Sequence, residues 1–336
     1  MSVEMDTVNQ IALSATDKFA ARQWYCDILG FVPSGGAEIA PADPGEATQL
    51  GAIQGMPGAD ADMCWAVDRQ DFFQLEFFQY RRPEPKPAVD RRPCDIGYAM
   101  ASFHVDDFDA TLVKLAAAGT LPLSEPIGAP GSRRVCVRDP MRTLIELWED
   151  DLRPGASAPV RRPEIGVAAR SVTVSVPDLG RARRFFVDAL GLAPAQAGVK
   201  LHGPEHEALW GLEGSRRETL LLSLGQMWIE VVQYQDPVGE PWPGGYLIAD
   251  IGIVNIALGT RDEGAFVATL DRVLEKGHRS TVTLRQEGWA STYVEDEDGF
   301  SVELFYITRP TDATAGFEPS TEMASLDANL DGPASA

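Results

Sequence analysis

Residues Arg22–Phe31 read RQWYCDILGF, and 161 positions later Arg183–Leu192 read RRFFVDALGL. Both run basic residue, aromatic pair, one residue, Asp, one residue, Leu-Gly, apolar residue. A chain that repeats a motif at this distance folds as repeated units, so the flanks of the motif decide the architecture. An alternating segment precedes each copy: NQIALSATD ends at Asp17 and RSVTVSVPD ends at Asp178. Alternation predicts a strand, and the Asp after it predicts the N-cap of a helix. In the first copy that helix carries Trp24, Ile28 and Leu29 on one face, and Gly30 closes it as a left-handed C-cap.

Two weaker copies follow the same order. YAMASFHVDDFDATLVKLAAAG gives a strand, Asp107, an amphipathic helix and Gly119; IVNIALGTRDEGAFVATLDRVLEKG gives the same with Asp262 and Gly277. Each unit ends in an apolar strand that carries one glutamate: Glu76, Glu146, Glu230 and Glu303. In the second and fourth units an Asp stands seven residues before that glutamate. The chain therefore reads as an α+β protein of four units, each strand, helix, then strands, grouped in two similar halves.

A length of 336 residues exceeds one ordinary hydrophobic core and agrees with two domains. The expected boundaries are 7–150 and 168–308, with a Pro/Gly/Arg-rich linker at 151–167. The segment 309–336, rich in Ala, Ser, Asp, Gly and Pro, predicts a disordered acidic tail. A formal charge of -21 disfavours nucleic acid and anionic membrane surfaces as partners. No apolar run is long enough to span a bilayer, and the first residues lack the pattern of a signal peptide. Cys26, Cys64, Cys94 and Cys136 show no CxxC spacing, so reduced thiols in a cytoplasmic protein are expected, as a monomer or homodimer.

WYCDILGF and FFVDALGL, together with DPMRTLIELWE, DEDGFSVELFY and KLHGPEHEALWGL, resemble signatures of the vicinal oxygen chelate superfamily. That superfamily includes glyoxalase I, bleomycin-resistance proteins and extradiol dioxygenases. The resemblance implies four βαβββ units forming two tandem glyoxalase-like domains with cup-shaped mixed sheets. It also implies a divalent metal (Zn, Ni, Mn or Fe) held by residues of the first and last strands, acting on paired substrate oxygens.

The family's first-strand ligand lies seven residues before the helix-opening Asp, which here gives Gln10, Met100, Ser171 and Asn255, none of them histidine. The glyoxalase I pattern then maps onto Gln10, Glu76, Met100 and Glu146, with Gln10, Glu76 and Glu146 as metal ligands. An alternative second site is Asn255, Glu303 and Glu230. The two-His-one-Glu pattern of an extradiol dioxygenase maps onto Ser171, Asn255 and Glu303, a weak donor set for ferrous iron.

On a strand, Met100, Ser102 and His104 share a face. Glu146, His104 and Glu76 are thus the candidate catalytic groups, and Met100, His202 and Trp148 the candidate substrate contacts. A carboxylate among apolar residues, such as Glu146, must be paired, liganded or protonated. The expected function is a glyoxalase-like lyase or isomerase acting on a small apolar or aromatic oxygenated compound. The alternative is a metal-free small-molecule binding protein of the bleomycin-resistance type. Which units pair to form each cup is left open by the sequence.

Overall fold

A computed structural model describes residues 4–40, 43, 45–154 and 161–326. Unit one comprises β1 (Thr7–Ser14), α1 (Lys18–Trp24), β2 (Val32–Ile39), α2 (Gln49–Ile53), β3 (Asp60–Val67) and β4 (Gln74–Arg82). Unit two comprises β5 (Gly97–Val105), α3 (Phe108–Ala117), β6 (Arg134–Arg138) and β7 (Leu144–Trp148). Unit three comprises β8 (Val167–Ser175), α4 (Leu179–Arg183), β9 (Ala193–Pro194), β10 (Arg216–Leu224) and β11 (Met227–Asp236). Unit four comprises β12 (Gly252–Thr260), α5 (Glu263–Glu275), β13 (Arg279–Ser280), β14 (Leu284–Gln286), β15 (Trp289–Glu295) and β16 (Ser301–Ile307), and β17 (Ala324–Leu326) follows it.

The four helix-opening aspartates all cap. Asp17 accepts from the Phe19 and Ala20 amides, Asp107 from Ala110, Asp178 from Arg181, and Asp262 from Gly264 and Ala265. Each satisfies backbone N–H groups that a helix start leaves without partners. Gly30 sits at φ 90° and closes the first helix as expected. The repeated motif itself is not regular α-helix: Tyr25–Leu29 and Arg184–Ala189 both form π-helical turns. In the first copy the turn seats Tyr25 in the core, where its hydroxyl donates to Asp139 of unit two at 2.8 Å.

Sheet order answers the pairing question. The first sheet runs β13-β15-β16-β12-β1-β4-β3-β2-β17, with β14 beside β15, and the second runs β6-β7-β5-β8-β11-β10-β9. At the centre of the first sheet β1 pairs antiparallel with β12; at the centre of the second, β5 pairs antiparallel with β8. Unit one therefore joins unit four, and unit two joins unit three. Each sheet takes one unit from each half of the sequence, and the pair 2–3 is nested inside the pair 1–4.

Alternation assigns the faces. In the last strands Leu75 and Phe77, Ile145 and Leu147, Ile229 and Val231, and Val302 and Leu304 all enter one shared core. That core also takes Phe185 and Phe266 from the helical segments, and residues of both sheets. The glutamate between each of those pairs is turned to the opposite face of its sheet.

The expectation of a disordered tail fails for residues 309–326. They form a short 3-10 turn at Arg309–Thr311, then β17, which pairs in parallel with β2. Phe317 is fully buried and meets Phe72 edge-on with ring centroids 4.7 Å apart. Asp312, also buried, pairs with Arg261. Composition marked this segment as polar, but one aromatic anchor and one buried ion pair suffice to seat it. Residues 327–336, and 155–160 of the expected linker, lie outside the described residues.

Candidate active site

The face of the first sheet opposite the core bounds a cavity of about 390 Å³. Its floor carries Gln10 from β1, Gln74 and Glu76 from β4, and Glu303 from β16, while Trp65, Trp289, Tyr293 and Phe305 give aromatic walls. Helix α2 contributes Leu50 and Ile53, and Thr311, Thr314 and Ala315 of the C-terminal segment complete the lining. We call this the first cup.

Two carboxylates face it, each held by a cross-strand neighbour. Trp65 lies opposite Glu76 in the register of β3 and β4, and its indole N–H donates to Glu76 Oε1 at 2.9 Å. Ser291 on β15 donates to Glu303 Oε1 at 2.5 Å. Burial, reinforced by the charge of Glu303, pushes the pKa of Glu76 up to about 8. Burial likewise pushes Glu303 up to about 7, against the hydrogen bonds from Ser291 and Tyr293 that favour its ionised form. Two carboxyl groups that repel one another in an apolar setting give up their protons in separate steps. Near neutrality the pair therefore offers both an acid and a base.

The equivalent glutamates of units two and three lie in the second sheet and are occupied differently. His202, on the segment before the 3-10 turn Pro204–Leu209, inserts between them: Nδ1 is 2.5 Å from Glu230 Oε2 and Nε2 is 2.9 Å from Glu146 Oε2. Trp148 and Ser102 donate to the same Glu146 oxygen at 2.6 and 3.1 Å. Burial acts to raise both carboxyls, but the facing imidazolium outweighs it and holds Glu146 and Glu230 below the ordinary range. Burial alone would drive the proton off His202; the two carboxylates reverse this and raise its pKa above the usual imidazole value.

The residues singled out in the sequence are thus divided between the sheets. Gln10, Glu76 and Glu303 share the first cup; Glu146, Glu230, Met100, Trp148 and His202 belong to the second sheet. The set Gln10, Glu76, Glu146 is not brought together, because unit one pairs with unit four rather than with unit two. The alternative set Asn255, Glu303, Glu230 is divided for the same reason, and so is Ser171, Asn255, Glu303. Asn255 is buried in β12 outside the cavity lining, its amide turned 3.4 Å from the Ile256 carbonyl. His104 does share the face of Ser102, and its Nε2 lies 3.0 Å from Asp106 at the strand end. Met100 packs with Leu144, Trp210 and Tyr234.

A metal in the first cup would have Gln10, Gln74, Glu76 and Glu303 as its donors. That set is two carboxylates and two amide oxygens without an imidazole, and its carboxylates already accept from Trp65 and Ser291. It does not fit zinc, nickel or ferrous iron, which favour nitrogen donors in such sites. The sequence-based reading missed the partners Trp65, Ser291 and Tyr293, and the bridging role of His202. Cross-strand register would have found the first of these once β3 and β4 were paired. The bridge joins residues 56 positions apart through a loop, so no local pattern reports it.

Two sheets, each built from two strand–helix–strand units and each presenting a facing pair of last-strand glutamates, define a tandem-repeat protein of one recognisable class. The model of the Glyoxalase/Bleomycin resistance protein/Dioxygenase superfamily matches residues 7–147 and 169–304, and the chain belongs to that superfamily. No curated protein matches the chain. Among solved structures it is similar to a "putative dioxygenase" from Bacillus subtilis subsp. subtilis str. 168, with 12% identity over 95% of this chain and 92% of that one and a TM-score of 0.63. It is also similar to glyoxalase I from Zea mays, with 17% identity over 94% and 95% of the two chains and a TM-score of 0.57. At these identities the likeness is one of fold. No helix among the described residues is long and apolar enough to cross a membrane.

Proposed function

We propose that the first cup is the working site of a glyoxalase-like lyase or isomerase, acting on a small apolar or aromatic carbonyl compound by proton transfer. One observation carries the reading: Glu76 and Glu303 face the same apolar cavity, and burial keeps a proton on the pair near neutral pH. Buried carboxyls with raised pKa values in a cleft are the groups enzymes use as acids and bases. A cavity of about 390 Å³ lies within the usual range for small ligands.

The chemistry follows from the two protonation states. The ionised carboxylate takes a proton from the carbon next to the substrate carbonyl as the C–H bond breaks. The protonated partner donates to the carbonyl oxygen, so the electron pair ends in a neutral enol. Where the α-carbon carries a hydroxyl the enol is an enediol, and a proton delivered to the former carbonyl carbon while that hydroxyl gives up its own proton completes an isomerisation. Where a β-leaving group is present, its expulsion while the enol proton returns to the carboxylate completes an elimination. Gln10 and Gln74 supply amide groups that orient the oxygenated end, and Trp65, Trp289 and Phe305 take the apolar end.

The test is exchange of substrate C–H for deuterium in D₂O, followed by NMR over a panel of aromatic and aliphatic ketones and aldehydes. Glu76→Gln and Glu303→Gln should each lower the exchange rate by roughly 10²–10⁴-fold, with ligand-induced thermal shifts kept. Full exchange in both variants would remove the carboxylate pair from the mechanism. A stoichiometric metal that raises turnover would transfer its role to a Lewis acid. The competing reading is a binding protein, favoured by the aromatic walls and by donors that lack imidazole; thermal shifts without any exchange across the panel would select it.

A further inference from the structure

The second cup is built on the same plan as the first, yet the space between its two glutamates is filled. His202 presents one ring nitrogen to Glu230 and the other to Glu146, at 2.5 and 2.9 Å. Further donors reach the same oxygens: Trp148 N–H and Ser102 O–H reach Glu146, and Thr173 O–H approaches Glu230 at 3.4 Å. With both carboxyls ionised they only accept, and both ring nitrogens then carry hydrogen, which makes the imidazole a cation. The Arg134 guanidinium stands 3.9 Å from Glu146 Oε1 and 4.5 Å from the Trp148 ring, and it donates to the Leu201 carbonyl at 2.7 Å. Arg217 donates to the His202 carbonyl at 3.4 Å.

The three side chains are buried at the edge of a cavity of about 590 Å³ that His202 and Glu230 help to line. The side chains of His202 and Glu146 are wholly inaccessible, and that of Glu230 is 2% exposed. Trp210 meets the imidazole edge-on at 5.0 Å between ring centroids. The same inter-strand stretch behaves differently in the two cups. In unit one the segment between β2 and β3 forms α2, which rims the cavity. In unit three the segment between β9 and β10 carries His202 down between the glutamates.

We infer that His202 is a built-in occupant of the second sheet's glutamate pair, standing between Glu146 and Glu230 in the place that would otherwise receive a metal ion or a polar ligand. Because each ring nitrogen is committed to a different carboxylate, the three groups share no common centre, and an ion can enter only if the imidazole leaves. The chain thus carries one glutamate pair that faces its cup directly and one that is bridged by the chain's own imidazole. The inference is independent of the reaction proposed for the first cup.

The experiment uses the full chain and His202→Ala, which leaves two buried carboxylates around an imidazole-sized gap. The variant should lose on the order of 10 °C in Tm. Added imidazole should restore much of that loss in the variant and none in the unchanged protein. Equilibrium dialysis with Mn²⁺ alone should give the variant one equivalent more than the unchanged chain. An unaltered Tm, or a folded variant that takes up neither imidazole nor Mn²⁺, would overturn the inference. Should His202→Ala fail to fold, ¹⁵N NMR of the unchanged protein at pH 7 decides instead. The signals lost in His202→Gln should belong to a ring with both nitrogens protonated, and a neutral ring would refute the bridge.

Discussion

At the scale of the residue, buried ionisable groups set how the protein responds to pH. Glu76 and Glu303 have pKa values raised to about 8 and about 7, and that of His202 is also raised above its ordinary value. A group whose pKa rises on folding contributes stability that is full below its unfolded value and is lost as pH climbs through the folded one. For the two carboxyls the loss begins above about pH 4.5, and for His202 above about pH 6.5. Glu146 and Glu230 act in the opposite sense: their depressed values give stability that is present above about pH 4.5 and lost below it. Tm should therefore peak near pH 5–6 and decline steadily toward pH 9. A flat Tm between pH 6 and 9 would contradict the protonated state of these sites.

At the scale of the element, the C-terminal segment shows how little is needed to hold a chain in place. Gly316 lies where a side chain would strike Trp65 and Gln74, and the next residue, Phe317, enters a small cluster with Phe72, Phe305 and Ile307. Phe317→Ala should cost about 3–5 kcal/mol in denaturant unfolding, as for other fully buried aromatics. A cost below about 1 kcal/mol would mean that the segment is not held by this anchor. The repeated elements were legible because each leaves a local mark: alternation in the first strand, Asp at the cap, Gly at the helix end, Glu in the last strand. The π-helical turns at Tyr25–Leu29 and Arg184–Ala189 were not, since their apolar pattern reads equally well as ordinary helix. The site was half legible. Its glutamates were evident, but their grouping depends on which strands meet at the sheet centres, and four similar units can pair in more than one way.

At the scale of the whole molecule, the two sheets do not behave as separate bodies. Tyr25 of unit one bonds Asp139 of unit two, Tyr98 of unit two donates to the Ser301 carbonyl of unit four, and Arg272 of unit four donates to the Ala189 carbonyl of unit three. One apolar cluster draws on all four units. Thermal unfolding should accordingly be a single calorimetric transition, with van't Hoff and calorimetric enthalpies that agree. Two resolved transitions would show that each sheet with its helices is stable alone.

The nested pairing also fixes an order of events during synthesis. The strands of the second sheet emerge from the ribosome together, whereas β1 must wait for β12. Roughly 170 residues separate the end of unit one at Arg82 from Gly252, which at about 5–20 residues per second is roughly 10–30 s of translation. Throughout that interval the β1 edge, with its run of apolar residues, has no antiparallel partner. The newborn chain carries half of its open cup as an unfinished edge until nearly all of the remainder has been made.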